Sequence, residues 1–207
     1  MLQWLRRLFQ GPAKDATPQQ APRPEDDAPS VETPQSEVPA PPPADPMAPF
    51  LPFQIRPLEV ADLNRLLGVF RDAIQVGSAG EYDQQQRDAW SRGQNYDSLI
   101  SLLSEGETVV AQWDDELVGF AQRIADNINM VYVHPDSARV GIDTLLYQHL
   151  EDSARVEGIP SLTTHASLTA LEFFRFMGFD SEGEEQADRG GVNLKRHLMR
   201  KSLGNFQ

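Results

Sequence analysis

The sequence predicts an α/β (α+β) domain, a mixed sheet flanked by helices, and three observations predict it. A β-type run, Met130-Val131-Tyr132-Val133, feeds a small-residue loop that turns at Gly141 into an apolar-periodic helix. Further strand-like runs before and after it are separated by stripes of i, i+3, i+4 spacing, so strands and helices interleave along the chain. Turn-forming Gly, Asp and Asn residues punctuate the boundaries.

Composition separates that domain from what precedes it. Of 16 prolines in 207 residues, 13 fall between residues 12 and 52. The residues between them are mostly Ala, Gln, Glu and Asp, with almost nothing to bury, so residues 11–52 are expected to be a disordered, extended acidic linker. Residues 53–207 remain for one folded domain, a normal size for a single core. Residues 1–10, MLQWLRRLFQ, are apolar at 1, 4, 5 and 8 with Arg6 and Arg7 on the remaining face. That spacing predicts a short amphipathic helix, suited to weak docking on a membrane surface or a partner protein. No apolar run with a cleavage site follows the arginines, so it does not read as a signal peptide. Residues 1–52 bury nothing by this reading. A chain begun at residue 50 should therefore melt within a few degrees of full length, checked by calorimetric melting of both.

The formal net charge is −13. With seven acidic and two basic residues in the linker and two arginines before it, the domain itself carries −10. Such a surface disfavours nucleic acid and favours cationic substrates or partners. There is no cysteine, which excludes disulfides, thiolate nucleophiles and thiolate metal sites and suits a cytoplasmic chain. No run approaches the ~18 apolar residues of a membrane span.

The elements read in order. Phe53–Pro57 alternates and ends at proline, an edge strand. Leu63, Leu66, Leu67, Phe70, Ala73 and Ile74 form one helical stripe. Ser78-Ala79-Gly80 breaks it, and Asp83 with Gln86 can form a capping box that opens a second helix through Trp90. Tyr96–Leu103 is a third helical run. Thr108–Trp113 and Leu117–Ala121, joined at Asp114-Asp115, read as a hairpin. Met130–Val133 is the fourth strand. A helix follows from about Ile142 to Val156 and stops at Gly158. Leu162–Thr164 is a fifth strand, with His165 at its end. Ala170–Met177 is a helix ended by Gly178. Phe179–Ala187 and Val192–Leu203 close the chain as two strands around Asp188-Arg189-Gly190-Gly191.

Two stretches carry a family resemblance. Val133-His134-Pro135-Asp136-Ser137-Ala138-Arg139-Val140-Gly141-Ile142-Asp143 resembles the pyrophosphate loop V-x-P-x-x-[QR]-x-x-G-x-[GA] of the GNAT superfamily of acyl-CoA-dependent N-acetyltransferases, in its bacterial form. Ala138 and Asp143 depart from the pattern, so the loop is degenerate. Ser167 to Phe179 is similar to the family's N-x-x-A-x-x-F-[YF]-x-x-x-G-F, with Ala170, Phe173, Gly178 and Phe179 in register. The resemblance covers about residues 53–203. It implies the GNAT fold, a mostly antiparallel seven-stranded sheet splayed between strands 4 and 5. It also implies acetyl-CoA as co-substrate and direct acetyl transfer to a primary amine of a small molecule or peptide. A catalytically degenerate GNAT-fold interaction module is the alternative. Metals have no support in the sequence.

The resemblance assigns the binding and chemical tasks of such a reaction. The pyrophosphate falls to the loop from Arg139 through Val140, Gly141, Ile142 and Asp143 to Thr144. Loop amides and the helix dipole both favour an anion there. Asp143 sets a carboxylate close to a dianion, or compensates the helix dipole if it points away. The thioester oxygen falls to strand amides around Val131 and Val133. Ser167 stands where the family's Asn meets the pantetheine arm. The acceptor pocket implied by the first two helices has Tyr82, Asp83 and Trp90 as candidates. The base is open between His165, His134 and a carboxylate, Asp126 or one on the Glu81–Asp83 loop. A histidine base predicts a rate that rises with pH through roughly 6–7. The usual tyrosine acid is replaced by Phe174, which leaves Tyr132 as candidate proton donor.

Overall fold

Turn chemistry and alternation place seven strands and five α-helices among the described residues. The computed structural model describes residues 53–92 and 96–204. The amphipathic segment 1–10 and the linker 11–52 lie outside them. The elements are β1 (Phe53–Pro57), α1 (Leu63–Gln75), α2 (Gln84–Arg92), α3 (Tyr96–Leu103), β2 (Glu107–Trp113), β3 (Glu116–Ile124), β4 (Asn127–Val133), α4 (Ile142–Val156), β5 (Ser161–Ser167), α5 (Leu171–Phe176), β6 (Asp180–Arg189) and β7 (Val192–Ser202). Among the described residues no helix is long and apolar enough to cross a membrane.

The strands form one sheet in the order β1-β2-β3-β4-β5-β7-β6. Neighbours are antiparallel except β4 and β5, which run parallel and pair only at Asn127↔Thr163 and Ile128↔Thr164. The β6–β7 hairpin closes on Gly190-Gly191, both at positive φ (64° and 86°), which a two-residue turn of matching twist requires and glycine supplies.

Each face of the sheet carries its own core. On one face Val109, Ala111 and Ile128 pack with Ile142, Leu146 and Leu150 of α4. On the other, Val110, Phe120 and Met130 pack with Leu66, Phe70 and Ile74 of α1 and Leu99 of α3. The alternation of Val109, Val110 and Ala111 between the two cores is the period of a strand buried on both sides. Gly119 lets α4 lie close to β3. A Cβ there would sit 3.0 Å from the Tyr132 carbonyl oxygen and 3.2–3.3 Å from the side chains of Leu146 and Ile142.

Several boundaries differ from the sequence reading: β3, β4 and β6 run two or three residues beyond the expected ends, and two further differences bear on the site. β5 does not stop at Thr164 but runs to Ser167, because β7 continues to pair with it from Met199 to Arg196 after β4 has left. His165 is therefore inside a strand rather than at its end. α5 is also shorter than expected, Leu171–Phe176, with Ala170 and Met177 as its caps.

Candidate active site

The site is built on the gap between β4 and β5. Pairing of β3 with β4 passes from Gln122↔Met130 to Arg123↔Ile128, which leaves Asn129 as an extra residue, a β-bulge. Parallel pairing to β5 ends at Ile128, immediately before it. The bulge bends β4 away from β5 and reverses its faces. Ile128 packs with the α4 core, whereas Met130 and Tyr132 pack with the α1 core and Val131 and Val133 with the α4 core. The His134 N–H donates to the Val118 carbonyl at 2.8 Å. Antiparallel ladders use alternate amides, so the N–H groups of Val131 and Val133 turn toward the opening.

A cavity lies on each side of β4. On the α4 side is a groove of about 200 Å³ walled by Val131, Val133, Arg139, Ile142, Asp143 and Phe173. Arg139 and Gly141 both have positive φ, 66° and 88°. That winding points successive loop amides inward, and the N–H groups of residues 139–143 have no hydrogen-bond partner among the described residues. They form a nest at the start of a fifteen-residue helix. Asp143 turns back on this nest, since its Oδ1 accepts the Thr144 N–H at 2.9 Å. The Thr144 amide is thereby occupied, while its hydroxyl has no partner among the described residues. Val140 is exposed at the loop tip. Phe174 is buried against Tyr147 and Phe179 and has no proton to give.

On the other side is a cavity of about 310 Å³. Tyr82, Trp90, Tyr132, His165 and Ser167 all line it. Tyr132 meets Phe70, Phe120 and Trp90 with ring centroids 5.0, 5.4 and 6.4 Å away. Burial raises its hydroxyl well above the ordinary phenol range, a shift only partly opposed by a hydrogen bond from Trp90 and the charge of Arg189. Tyr132 therefore remains protonated at any physiological pH. Tyr82 is a brace. Its hydroxyl donates to the Lys195 carbonyl at 2.6 Å and accepts the Leu168 N–H at 2.9 Å, tying the α1–α2 loop to β7 and to the turn after β5. Ser167 Oγ accepts the Ala170 N–H at 3.2 Å and so helps start α5.

His165 is the first β5 residue beyond the last β4–β5 pair. Its Nδ1 stands 2.5 Å from Oε1 of Glu185, reaching across β7 to β6. The same Glu185 oxygen is 2.5 Å from Nε of Arg196. Burial alone would raise the Glu185 carboxyl, but the His165 ring and the Arg196 charge outweigh it and hold it below the usual carboxylate range. An ionised carboxylate on Nδ1 fixes the tautomer that leaves Nε2 able to accept a proton.

Several candidates lie elsewhere. Asp83 is not in the cavity wall. Its Oδ1 accepts the Gln86 N–H at 2.8 Å, the Gln86 side chain accepts the Asp83 N–H at 3.1 Å, and the pair forms the capping box of α2. His134 caps a short 3-10 turn, Pro135–Ser137, and its Nε2 is 3.5 Å from Asp72, outside both cavities. Glu81 and Asp126 line neither cavity. Sequence reading missed Glu185, Arg189 and Arg196. Period two does place Glu185, Ala187 and Arg189 on one face of β6, but only the strand order β5-β7-β6 carries that face to His165.

Comparisons with known proteins bear on this geometry. Residues 78–203 match the family described as "Acetyltransferase (GNAT) domain". The chain is 28% identical to "Uncharacterized N-acetyltransferase YafP" of Escherichia coli (strain K12) over 148 residues, covering 72% of this chain and 95% of that protein. It is 31% identical to a crystal structure of a GCN5-related N-acetyltransferase from Rhodopseudomonas palustris, with 72% and 95% of the two chains covered and a TM-score of 0.70. It shares its fold, at 22% identity, with the PaiA N-acetyltransferase of Thermoplasma acidophilum in complex with coenzyme A, with 72% and 98% covered and a TM-score of 0.60.

Proposed function

As the chain belongs to the GNAT acetyltransferase family, we propose that it is an active acetyl-CoA-dependent enzyme that moves an acetyl group directly to a primary amine of a small molecule or peptide. The observation that carries this reading is the gap in the sheet. It joins a nest of free amides on one side to a cavity holding a carboxylate-paired histidine and a buried tyrosine on the other.

In this reading the free amides of residues 139–143 and the Thr144 hydroxyl hold the pyrophosphate, and Val131 and Val133 offer N–H groups to the thioester oxygen. His165 takes a proton from the acceptor ammonium, and Glu185 stabilises the imidazolium that results. The amine nitrogen attacks the thioester carbon, a C–N bond forms and the C–S bond breaks. Tyr132 protonates the departing thiolate. The second proton from nitrogen restores Tyr132, and His165 returns the first to solvent, so one proton is released per turnover.

Asp143 bears on how tightly the loop binds. Two like charges ~4–6 Å apart at intermediate dielectric repel by a few kcal/mol before screening. Asp143→Gly removes that charge and frees the Thr144 amide. It is expected to tighten acetyl-CoA binding by about one to two powers of ten, measured by calorimetry. An unchanged affinity would mean that the carboxylate points away from the phosphates. Absence of heat at millimolar acetyl-CoA, in wild type and variant alike, would sink the enzyme reading. It would favour the second one, an interaction module on a GNAT fold, which Asp143 and Phe174 support.

A further inference from the structure

The acceptor cavity has the opposite electrostatic character to the domain that holds it. The domain carries a formal charge of −10, yet the residues lining the cavity include Arg189 and Arg196 and no carboxylate, with Lys195 meeting it through the carbonyl bonded to Tyr82. Lys195 and Arg196 each have a carboxylate partner. Lys195 Nζ is 3.2 Å from Glu184, and Arg196 Nε is 2.5 Å from Glu185. Arg189 has no carboxylate partner among the described residues. Its Nη1 donates to the neighbouring Asp188 carbonyl at 3.2 Å, and its Nε and Nη2 are uncommitted. The Asp188 carboxylate is turned to the Gly191 N–H at 3.1 Å, so it does not neutralise Arg189. Arg189 and Tyr132 line the same cavity.

A protonated amine entering such a site meets the Arg189 guanidinium and no carboxylate among the lining residues, while the nearby Glu185 is already engaged by His165 and Arg196. That arrangement rejects polycations and rewards an acceptor that brings its own negative group. The free Nε and Nη2 edge of an arginine is the planar fork that grips a carboxylate through two parallel hydrogen bonds. Ala187 and Leu194 pair between Arg189 and Arg196 on the β6–β7 hairpin, and Met130 and Phe70 add apolar wall. At about 310 Å³ the cavity is at the small end of ligand sites.

We propose that the acceptor is a free α-amino acid with an apolar side chain, its carboxylate on Arg189, its side chain on the Phe70–Leu194 wall and its amine toward His165. The inference rests on the acetyl-transfer reading of the cavity and narrows it to one substrate class. The net charge of the chain favours the reverse, a cationic acceptor, because charge counted along the sequence does not report where cations converge.

The test compares leucine, methionine and phenylalanine with their decarboxylated amines and with spermidine, using the full chain and acetyl-CoA. At least one amino acid is expected to exceed its amine about tenfold or more in kcat/KM, with spermidine poorest. Arg189→Gln should collapse that preference toward one by raising KM for the amino acid, and Arg189→Lys should retain part of it. Arg189 sits beside the exposed β6–β7 turn, so both variants should fold. Equal rates for amino acid and amine, a preference for spermidine, or an amino-acid preference that survives Arg189→Gln would each overturn the proposal. If no acceptor is acetylated, calorimetry of the same amino acids decides. Heat that is lost in Arg189→Gln keeps the amino-acid site while ending the transfer reading. No heat from any of them ends the proposal.

Discussion

His165→Ala is expected to lower kcat by a factor of about 10² or more while leaving acetyl-CoA affinity unchanged, read by thiol release and by calorimetry respectively. The imidazole lines the cavity proposed for the acceptor, and the groove proposed for acetyl-CoA lies on the other side of β4, so the loss should fall on chemistry and not on co-substrate binding. In the proposed mechanism Glu185 acts through His165 and is a positioning residue. Glu185→Gln keeps an acceptor for Nδ1 but removes the charge that stabilises the imidazolium. It should lower kcat by about tenfold, with little change in KM, and alter the pH–rate profile, which a purely structural role would not do. Full activity in His165→Ala would remove it from the mechanism and return the task to water or to the Glu81–Asp83 loop.

The second large effect is on stability. Glu151 is buried on α4, where it accepts from the Tyr147 hydroxyl and pairs with Arg155 Nη2 at 2.5 Å and Lys201 Nζ at 2.5 Å. The set ties α4 to β7. Burial would raise the Glu151 carboxyl, but the bonds from Lys201, Tyr147 and Arg155 outweigh it and hold it below its ordinary value. Glu151→Ala leaves two cations facing an emptied site. Loss of one partner of a buried pair costs about 3–5 kcal/mol, and the partial exposure of Arg155 and Lys201 places this one near the low end, about 3 kcal/mol. For a domain of this size that is roughly a 10 °C fall in Tm. The sign with pH follows from the lowered folded value. The contribution is complete above the unfolded carboxyl value, ~4.3, and is lost as pH falls through the lower folded value. The variant's deficit relative to wild type should therefore shrink in acid below about pH 4. A deficit under ~1 kcal/mol at neutral pH would show that water replaces the carboxylate at little cost.

Much of the fold was legible because local signals agreed with one another. The stripe from Leu63 to Ile74 became α1, the Asp83–Gln86 capping box opened α2, and Gly190-Gly191 turned the last hairpin. The loop geometry before α4 could be read because one positive-φ glycine at a helix start, Gly141, leaves a trace in a single sequence. The bulge at Asn129 could not. Ile128, Met130 and Tyr132 alternate as if on one face, yet the bulge sends Ile128 to the α4 core and the other two to the α1 core and the cavity beside it. Asn129 has no residue-type signature of a bulge. It is specified by pairing with β3, which the local pattern does not encode. The same holds for Glu185 and Arg189. They stand 20 and 24 residues after His165 in no motif, and reach its cavity only because β7 lies between β5 and β6. The end of β5 was misjudged for a related reason. Thr163-Thr164-His165-Ala166-Ser167 lacks an apolar alternation and is held as a strand by its ladder to β7.

The most direct test of the account is acetyl transfer itself. The full chain is incubated with acetyl-CoA and a mixed set of amino acids, their decarboxylated amines and short peptides. Free thiol is followed with time, and the products are weighed by mass spectrometry. The account predicts thiol release that depends on an amine, an acceptor heavier by one acetyl group, and loss of both in His165→Ala. Acetyl-CoA bound but never consumed, whichever amine is supplied, would contradict it and leave the chain a binding module on an acetyltransferase fold.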